Sequence, residues 1–120
     1  MEIDDDKKIL TLTTPGNNKI VFSDDAKSIT ISDQNSNTIT MSSDGIKLDS
    51  GKDVVISAKG KISMSAAQNI EASSSGGDFS GAGVNVKLTA QAQLTAAGNA
   101  TAEVSSSGQT TVKGSIVMIN

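Results

Sequence analysis

Residues 46–66 read IKLDSGKDVVISAKGKISMSA: apolar and small residues occupy most even positions, and charged residues fall mainly on odd ones. The same alternation continues to Met118, with 24 apolar residues among 37 even positions and five among 36 odd positions. Alternation with a period of two indicates β-strands with one dry face. Hairpin loops of mixed length would scramble the parity, so an ordinary sheet does not explain it.

A period of eight residues underlies the alternation. In the series of every eighth residue that starts at Ile46, most residues are apolar. The same holds for the series that starts at Leu48. The next even position, beginning at Ser50, is small in every unit. An octad repeated about nine times is typical of a solenoid or a fibre, in which each unit contacts mainly its neighbours.

One chain coiling alone in rungs of eight residues cannot enclose a core, because a strand rises only about 3.3 Å per residue. Three chains around one axis can, since each supplies one face of a prism and no lateral sheet edge is left. The predicted fold class is therefore all-β: an intertwined homotrimeric triple-stranded β-helix, a β-prism needle with octad repeats, preceded by short turn-linked strands. The predicted trimer core consists of Ile46, Leu48, Val54, Ile56, Ile62, Met64, Ile70, Val86, Leu88, Leu94, Val104 and Val112.

The composition agrees with a narrow interior. Only 36% of the 120 residues are hydrophobic and 2% are aromatic, whereas Ser, Thr, Ala and Gly are abundant. Such small side chains cannot fill a thick core. A helical interpretation of residues 90–104 is disfavoured, because the apolar spacing there is two and Gly98 weakens helix propensity.

The N-terminal part differs, and we divide the chain into residues 1–45, short strands and turns, and residues 46–120, the octad needle with a blunt apolar tip. Apolar pairs recur about every nine or ten residues, and Pro-, Gly-, Asn- and Asp-rich turns separate them. The apolar parity changes from even to odd near Ile29 and returns at Ile46. This change predicts strands that cross before the regular needle begins. The apolar pairs are Leu10/Leu12, Ile20/Phe22, Ile29/Ile31, Ile39/Met41 and Ile46/Leu48.

The residue inventory excludes several functions. The chain has no His and no Cys, which removes imidazole catalysis, thiol nucleophiles and ordinary zinc sites. Its ten basic residues are all Lys and its net charge is -3, which argues against nucleic-acid binding. No apolar run reaches membrane-helix length, and the acidic N-terminus does not resemble a Sec signal. We predict no catalytic residue, no metal site and no cofactor.

The runs NKIVFSD (18–24), SITISD (28–33) and NTITM (37–41), together with the octad tract 45–112, resemble a VgrG spike. VgrG proteins form the central spike of type VI secretion systems and are similar to the baseplate spikes of contractile phage tails. The resemblance implies a homotrimeric needle that punctures a target membrane. It also implies a tube, hub or baseplate at the N-terminal end, and assembly in the bacterial cytoplasm followed by ejection, or a place in a virion.

The sequence departs from that family in two respects. It lacks the OB-fold and hub-like region that precedes the needle, so we expect a fragment of a longer spike or a separately encoded needle. It also lacks the His pair with which some phage spikes bind a metal at the tip. The resemblance implies a PAAR-repeat protein as the cap of the apolar C-terminal end, although simple fraying of the last strand is the alternative. The predicted tip-protein interface is Ile116, Val117, Met118, Ile119 and Asn120.

Three further alternatives stay open in the sequence. The carboxylates of Asp4–Asp6 and Asp24–Asp25 suit either a cation or, by preference, solvated loops. Residues 73–81 interrupt the octads, with Asp78 at an inward position and Phe79 off parity; an outward bulge is favoured over an ion held by three Asp78 copies. An adhesin or fibre stalk that binds a surface receptor is the alternative to a puncturing needle.

Overall fold

The computed structural model describes all 120 residues, and every regular element is a β-strand. Six short strands form one antiparallel sheet whose spatial order is the sequence order. No helix is present that could cross a membrane. The strands are β1 (Glu2–Asp4), β2 (Ile9–Thr13), β3 (Lys19–Ser23), β4 (Ser28–Ser32), β5 (Thr38–Ser42) and β6 (Gly45–Asp49).

Two loop types alternate along this meander and repeat after 19 residues. The four-residue loops 5–8 and 24–27 each end in a left-handed residue, Lys8 (φ 53°) and Lys27 (φ 50°). The five-residue loops 14–18 and 33–37 place Asn17 (φ 65°) and Ser36 (φ 68°) in the same conformation. The sequence therefore contains an internal repeat of two hairpins, which the octad period does not predict.

The register explains the change of parity. Odd loop lengths pair residues of equal parity, as in Leu12 with Ile20, whereas the four-residue loop 24–27 pairs even with odd, as in Ile20 with Ile31. The two-residue loop 43–44 restores even parity at Ile46. The prediction that strands cross here is wrong, because each strand pairs with its neighbours in sequence.

The chain divides into two compact units, residues Met1–Gln68 and Asn69–Asn120. The first contains the whole sheet, and the backbone beyond it bends at 51–52, 59–60 and 67–68. The second contains no strand or helix, and its backbone bends at 75–77, 84–85, 91–92, 99–100, 107–108 and 115–116. Neither unit buries a single apolar side chain.

Candidate subunit interface

Strand register assembles two apolar rows on one face of the sheet. Directly paired residues share a face, and so do residues two apart on one strand. The first row is Leu12, Ile20, Ile31, Ile39 and Leu48. The second row is Leu10, Phe22, Ile29, Met41 and Ile46.

A groove of about 650 Å³ lies over the first row, and all five side chains of that row line it. Val54 contributes to its lining beyond the sheet. Lys19, Asp33 and Asp53 are among the polar residues that also line it. A mainly apolar surface accompanied by polar residues is typical of a protein–protein contact surface.

A hydrogen-bonded clamp links several residues that line this groove: Asp33, Asn37 and Ser50. The Asp33 carboxylate accepts hydrogen bonds from the backbone N–H groups of Asn35 (2.8 Å) and Asn37 (2.9 Å) and from both side-chain amides. Asn37 Oδ1 in turn accepts from the Gly51 N–H (3.0 Å) and the Ser50 hydroxyl (3.2 Å). The clamp thereby ties the first bend after β6 to the β4–β5 loop.

These donors stabilise the ionised form of Asp33. The backbone N–H of Asn37 contributes most, and the pKa of Asp33 falls from 3.8 to about 2. Because the pKa is lower in the folded chain, the associated stability is present above the ordinary value and is lost as the pH falls toward 2. We expect an NMR titration of the Asp33 carboxyl carbon to give a midpoint near 2. A midpoint near 3.8 would show that the clamp does not form.

The predicted core residues fall into two groups. Ile46 and Leu48 lie on β6 and take part in the two rows. The ten others, from Val54 to Val112, lie beyond the sheet, and each side chain is more than half exposed, from 54% for Ile62 to 87% for Val104. Nothing within the chain covers either group.

The predicted tip residues are exposed as well. Ile116, Met118 and Ile119 are at least 80% exposed, and Val117 is 49% exposed. The structure thus places a short apolar segment at the C-terminal end of the second unit.

Side chains just before the four-residue loops accept hydrogen bonds that stabilise the turns. Asp4 Oδ1 accepts a hydrogen bond from the Lys7 N–H at 3.0 Å, and the equivalent Ser23 hydroxyl accepts one from Ala26 at 3.1 Å. No group of three or more Asp or Glu side chains is arranged to hold a metal ion.

The total accessible surface of one chain is much larger than that of a compact monomer. It exposes 11863 Å², about twice the roughly 6,100 Å² expected for a compact 12.2 kDa monomer. A chain with two apolar rows, an apolar groove and no buried apolar side chain has the properties of one subunit of an obligate oligomer.

Comparison with known proteins identifies the class. The chain belongs to the family of phage baseplate V C-terminal trimerisation domains, whose sequence model matches residues 9–74. This match covers β2 to β6 and the first three bends. No curated protein sequence matches the chain significantly.

Family membership confirms the resemblance to a VgrG-type or phage baseplate spike. The chain is a structural, all-β component of such a spike, and the trimerisation domain assembles as a homotrimer. The surface that one chain leaves uncovered is therefore a candidate for contact with two further copies.

Proposed function

We propose that the chain is the membrane-puncturing needle of a contractile injection machine, in a type VI secretion spike of the VgrG kind or in a phage baseplate spike. Three copies intertwine as a triple-stranded β-helix over residues 46–120, and residues 1–45 precede it. The needle transmits force and catalyses no reaction.

The absence of internal backbone pairing after the sheet carries this proposal. From Ser50 to Asn120 no backbone N–H donates to a backbone carbonyl of the same chain. The one hydrogen bond there beyond Asp53 joins the Gly108 N–H to the Ser106 hydroxyl at 3.1 Å. Backbone polar groups in a folded protein need partners, and fixing unpaired backbone costs about 1–2 kcal/mol per residue in entropy. Strands of neighbouring copies would supply those partners.

The spacing of the bends supports rungs of eight residues. Bends begin at residues 51, 59, 67 and 75, and again at 91, 99, 107 and 115. Each regular interval leaves a six-residue segment between bends, long enough for one face of a prism. Within these regular segments the predicted core residues have even sequence numbers, so that one face of each segment is mainly apolar or small.

The proposed architecture suits mechanical work. Hydrogen bonds between intertwined chains must break together before any one chain is released, which gives kinetic stability. Lys and acidic residues at the odd positions would keep the outer faces hydrated. We place the hub, tube or baseplate at the N-terminal end of the needle. The target membrane is a transient partner of the C-terminal end. Assembly in the bacterial cytoplasm followed by ejection, or a place in the virion, completes this proposal.

We assign residues Ile116, Val117, Met118, Ile119 and Asn120 to the contact with a PAAR-repeat tip protein. Three copies would bring three exposed apolar segments together at the end of the needle. Such an apolar surface favours a bound partner over exposure to water.

Tip binding is the experiment that separates a needle from a receptor-binding stalk. We expect the trimer to bind a recombinant PAAR-repeat protein in biolayer interferometry. Met118→Asp should weaken this binding at least about tenfold, because three carboxylates would enter an apolar contact. Ser115→Asp, three residues earlier, is the matched control and should bind normally.

Failure of the unmodified trimer to bind would contradict tip carrying and favour the stalk. Equal binding by the Met118→Asp and Ser115→Asp chains would show that the tip protein docks elsewhere. The segments available to a stalk for receptor recognition are short: residues 14–18, 33–37 and 74–83.

A further inference from the structure

The bends lose their eight-residue spacing once. The bend at 75–77 contains three residues instead of two, and the next begins at residue 84, nine positions after 75. The following bend begins at 91, seven positions later, and restores the spacing. The six-residue segment between the two irregular bends is therefore 78–83, one position later than an unbroken octad would place it.

The regular segments show what each place in a segment accepts. These are residues 53–58, 61–66, 69–74, 93–98, 101–106 and 109–114. Their first residue is always polar: Asp53, Lys61, Asn69, Gln93, Thr101 and Gln109. Their second residue is apolar in five of six cases: Val54, Ile62, Ile70, Leu94 and Ala102. Their sixth residue is always small: Ala58, Ala66, Ser74, Gly98, Ser106 and Gly114.

Segment 78–83 follows these preferences when it is counted from the observed bends. Asp78 then takes the polar first place and Phe79 the apolar second place. Gly83 takes the small sixth place. Counted on unbroken octads, Asp78 would occupy the place of Ile62 and Ile70, and Phe79 would stand on the polar face.

Backbone geometry at Gly83 agrees with the shifted count. A Cβ built on Gly83 would lie 3.2 Å from the carbonyl oxygen of Asn85, two residues on. The same construction on Gly114 gives 3.1 Å to the carbonyl oxygen of Ile116, also two residues on. Gly114 is the sixth residue of a regular segment, so Gly83 shares the backbone environment of that sixth residue, whereas Gly98, another sixth residue, meets the backbone carbonyl of Thr101 instead.

We propose that Phe79, and not Asp78, faces the axis shared by the three chains, so that three Phe79 rings form an aromatic layer of the subunit interface. The inference rests on the proposed needle and adds to it a specific contact. Phe79 is 73% exposed in one chain, and a Phe ring buries about 150–250 Å² when fully covered. Gly81, at the fourth place, brings no side chain and leaves room for the rings in a narrow interior.

Single cysteines test this assignment in a chain that has none of its own. Two substitutions, Asp78→Cys and Phe79→Cys, probe the shifted segment. Asn69→Cys and Ile70→Cys probe the same two places of the preceding regular segment. We expect maleimide to label the native Phe79→Cys and Ile70→Cys trimers at least about tenfold more slowly than the Asp78→Cys and Asn69→Cys trimers.

The regular pair separates failure of this inference from failure of the needle. Slow labelling of Asp78→Cys and fast labelling of Phe79→Cys, with Ile70→Cys still protected, would overturn the aromatic layer. The same result would remain consistent with the proposed needle. Equal labelling of Ile70→Cys and Asn69→Cys would overturn the needle and the inference together. If the Phe79→Cys chain does not assemble, Asp78→Cys decides alone: fast labelling supports the inference and protection overturns it.

Discussion

An Ile39→Asp chain is expected to lose the trimer, whereas a Thr40→Asp chain is expected to keep it. Ile39 lies in the first apolar row, between Ile31 and Leu48 in the register, and lines the groove. Thr40 follows it on the opposite face of β5 and pairs with Lys47, a cation that can accommodate a carboxylate. The two substitutions therefore differ in the face that carries the charge.

The expected effect of Ile39→Asp on trimer stability is large because each trimer contains three copies of the substitution. An unpaired buried carboxylate costs about 3–5 kcal/mol, and each 1.4 kcal/mol is a tenfold change in an equilibrium constant. Light scattering should give three times 12.2 kDa for the unmodified and Thr40→Asp chains, and 12.2 kDa for Ile39→Asp. A trimeric Ile39→Asp chain with unchanged thermal stability would show that the apolar rows do not form the subunit contact.

Much of the sheet can be predicted from sequence because two local signals agree. All five predicted apolar pairs lie on β2 to β6, and the Pro-, Gly-, Asn- and Asp-rich segments form the loops between them. Strand pairing was harder to predict, because an even loop length reverses parity and an odd one preserves it. A reversal of parity, which suggests a crossing of strands, here reflects only the even length of the loop 24–27.

Other features depend on geometry that residue patterns do not carry. Strand β1 contains only one apolar residue, Ile3, and forms because Ile3 pairs with Leu10. The Asp33 clamp depends on the left-handed loop that turns the N–H groups of Asn35 and Asn37 toward one carboxylate. The 19-residue repeat relating Lys8 to Lys27 arises from alternating four- and five-residue loops, which the spacing of nine or ten residues between apolar pairs does not reveal by itself.

The interruption at residues 73–81 shows what the pattern leaves open. An unbroken count of eight places Asp78 among apolar positions, which suggests a bulge or an ion. The structure has an extra residue in the bend at 75–77, which is compatible with the favoured outward bulge, and the segment after it begins one position later. One residue reverses the face of every side chain in a strand, so the location of the bend decides the chemistry of the interface.

The second large effect is expected at residues 62–66, where cysteines at alternate positions should differ sharply in their reactivity with maleimide. In one isolated chain Met64 is 77% exposed, and its neighbours Ser63 and Ser65 are exposed as well. In the proposed trimer the even side chains face the axis and the odd ones face water. Native single-cysteine trimers should therefore react with maleimide at least about a hundredfold more slowly at the even positions.

Labelling five consecutive single-cysteine chains, from Ile62→Cys to Ala66→Cys, tests the shared axis most directly. We predict slow labelling at 62, 64 and 66, fast labelling at 63 and 65, and equal rates at all five positions after denaturation. Equal rates in the native protein would contradict a dry interior shared by three chains.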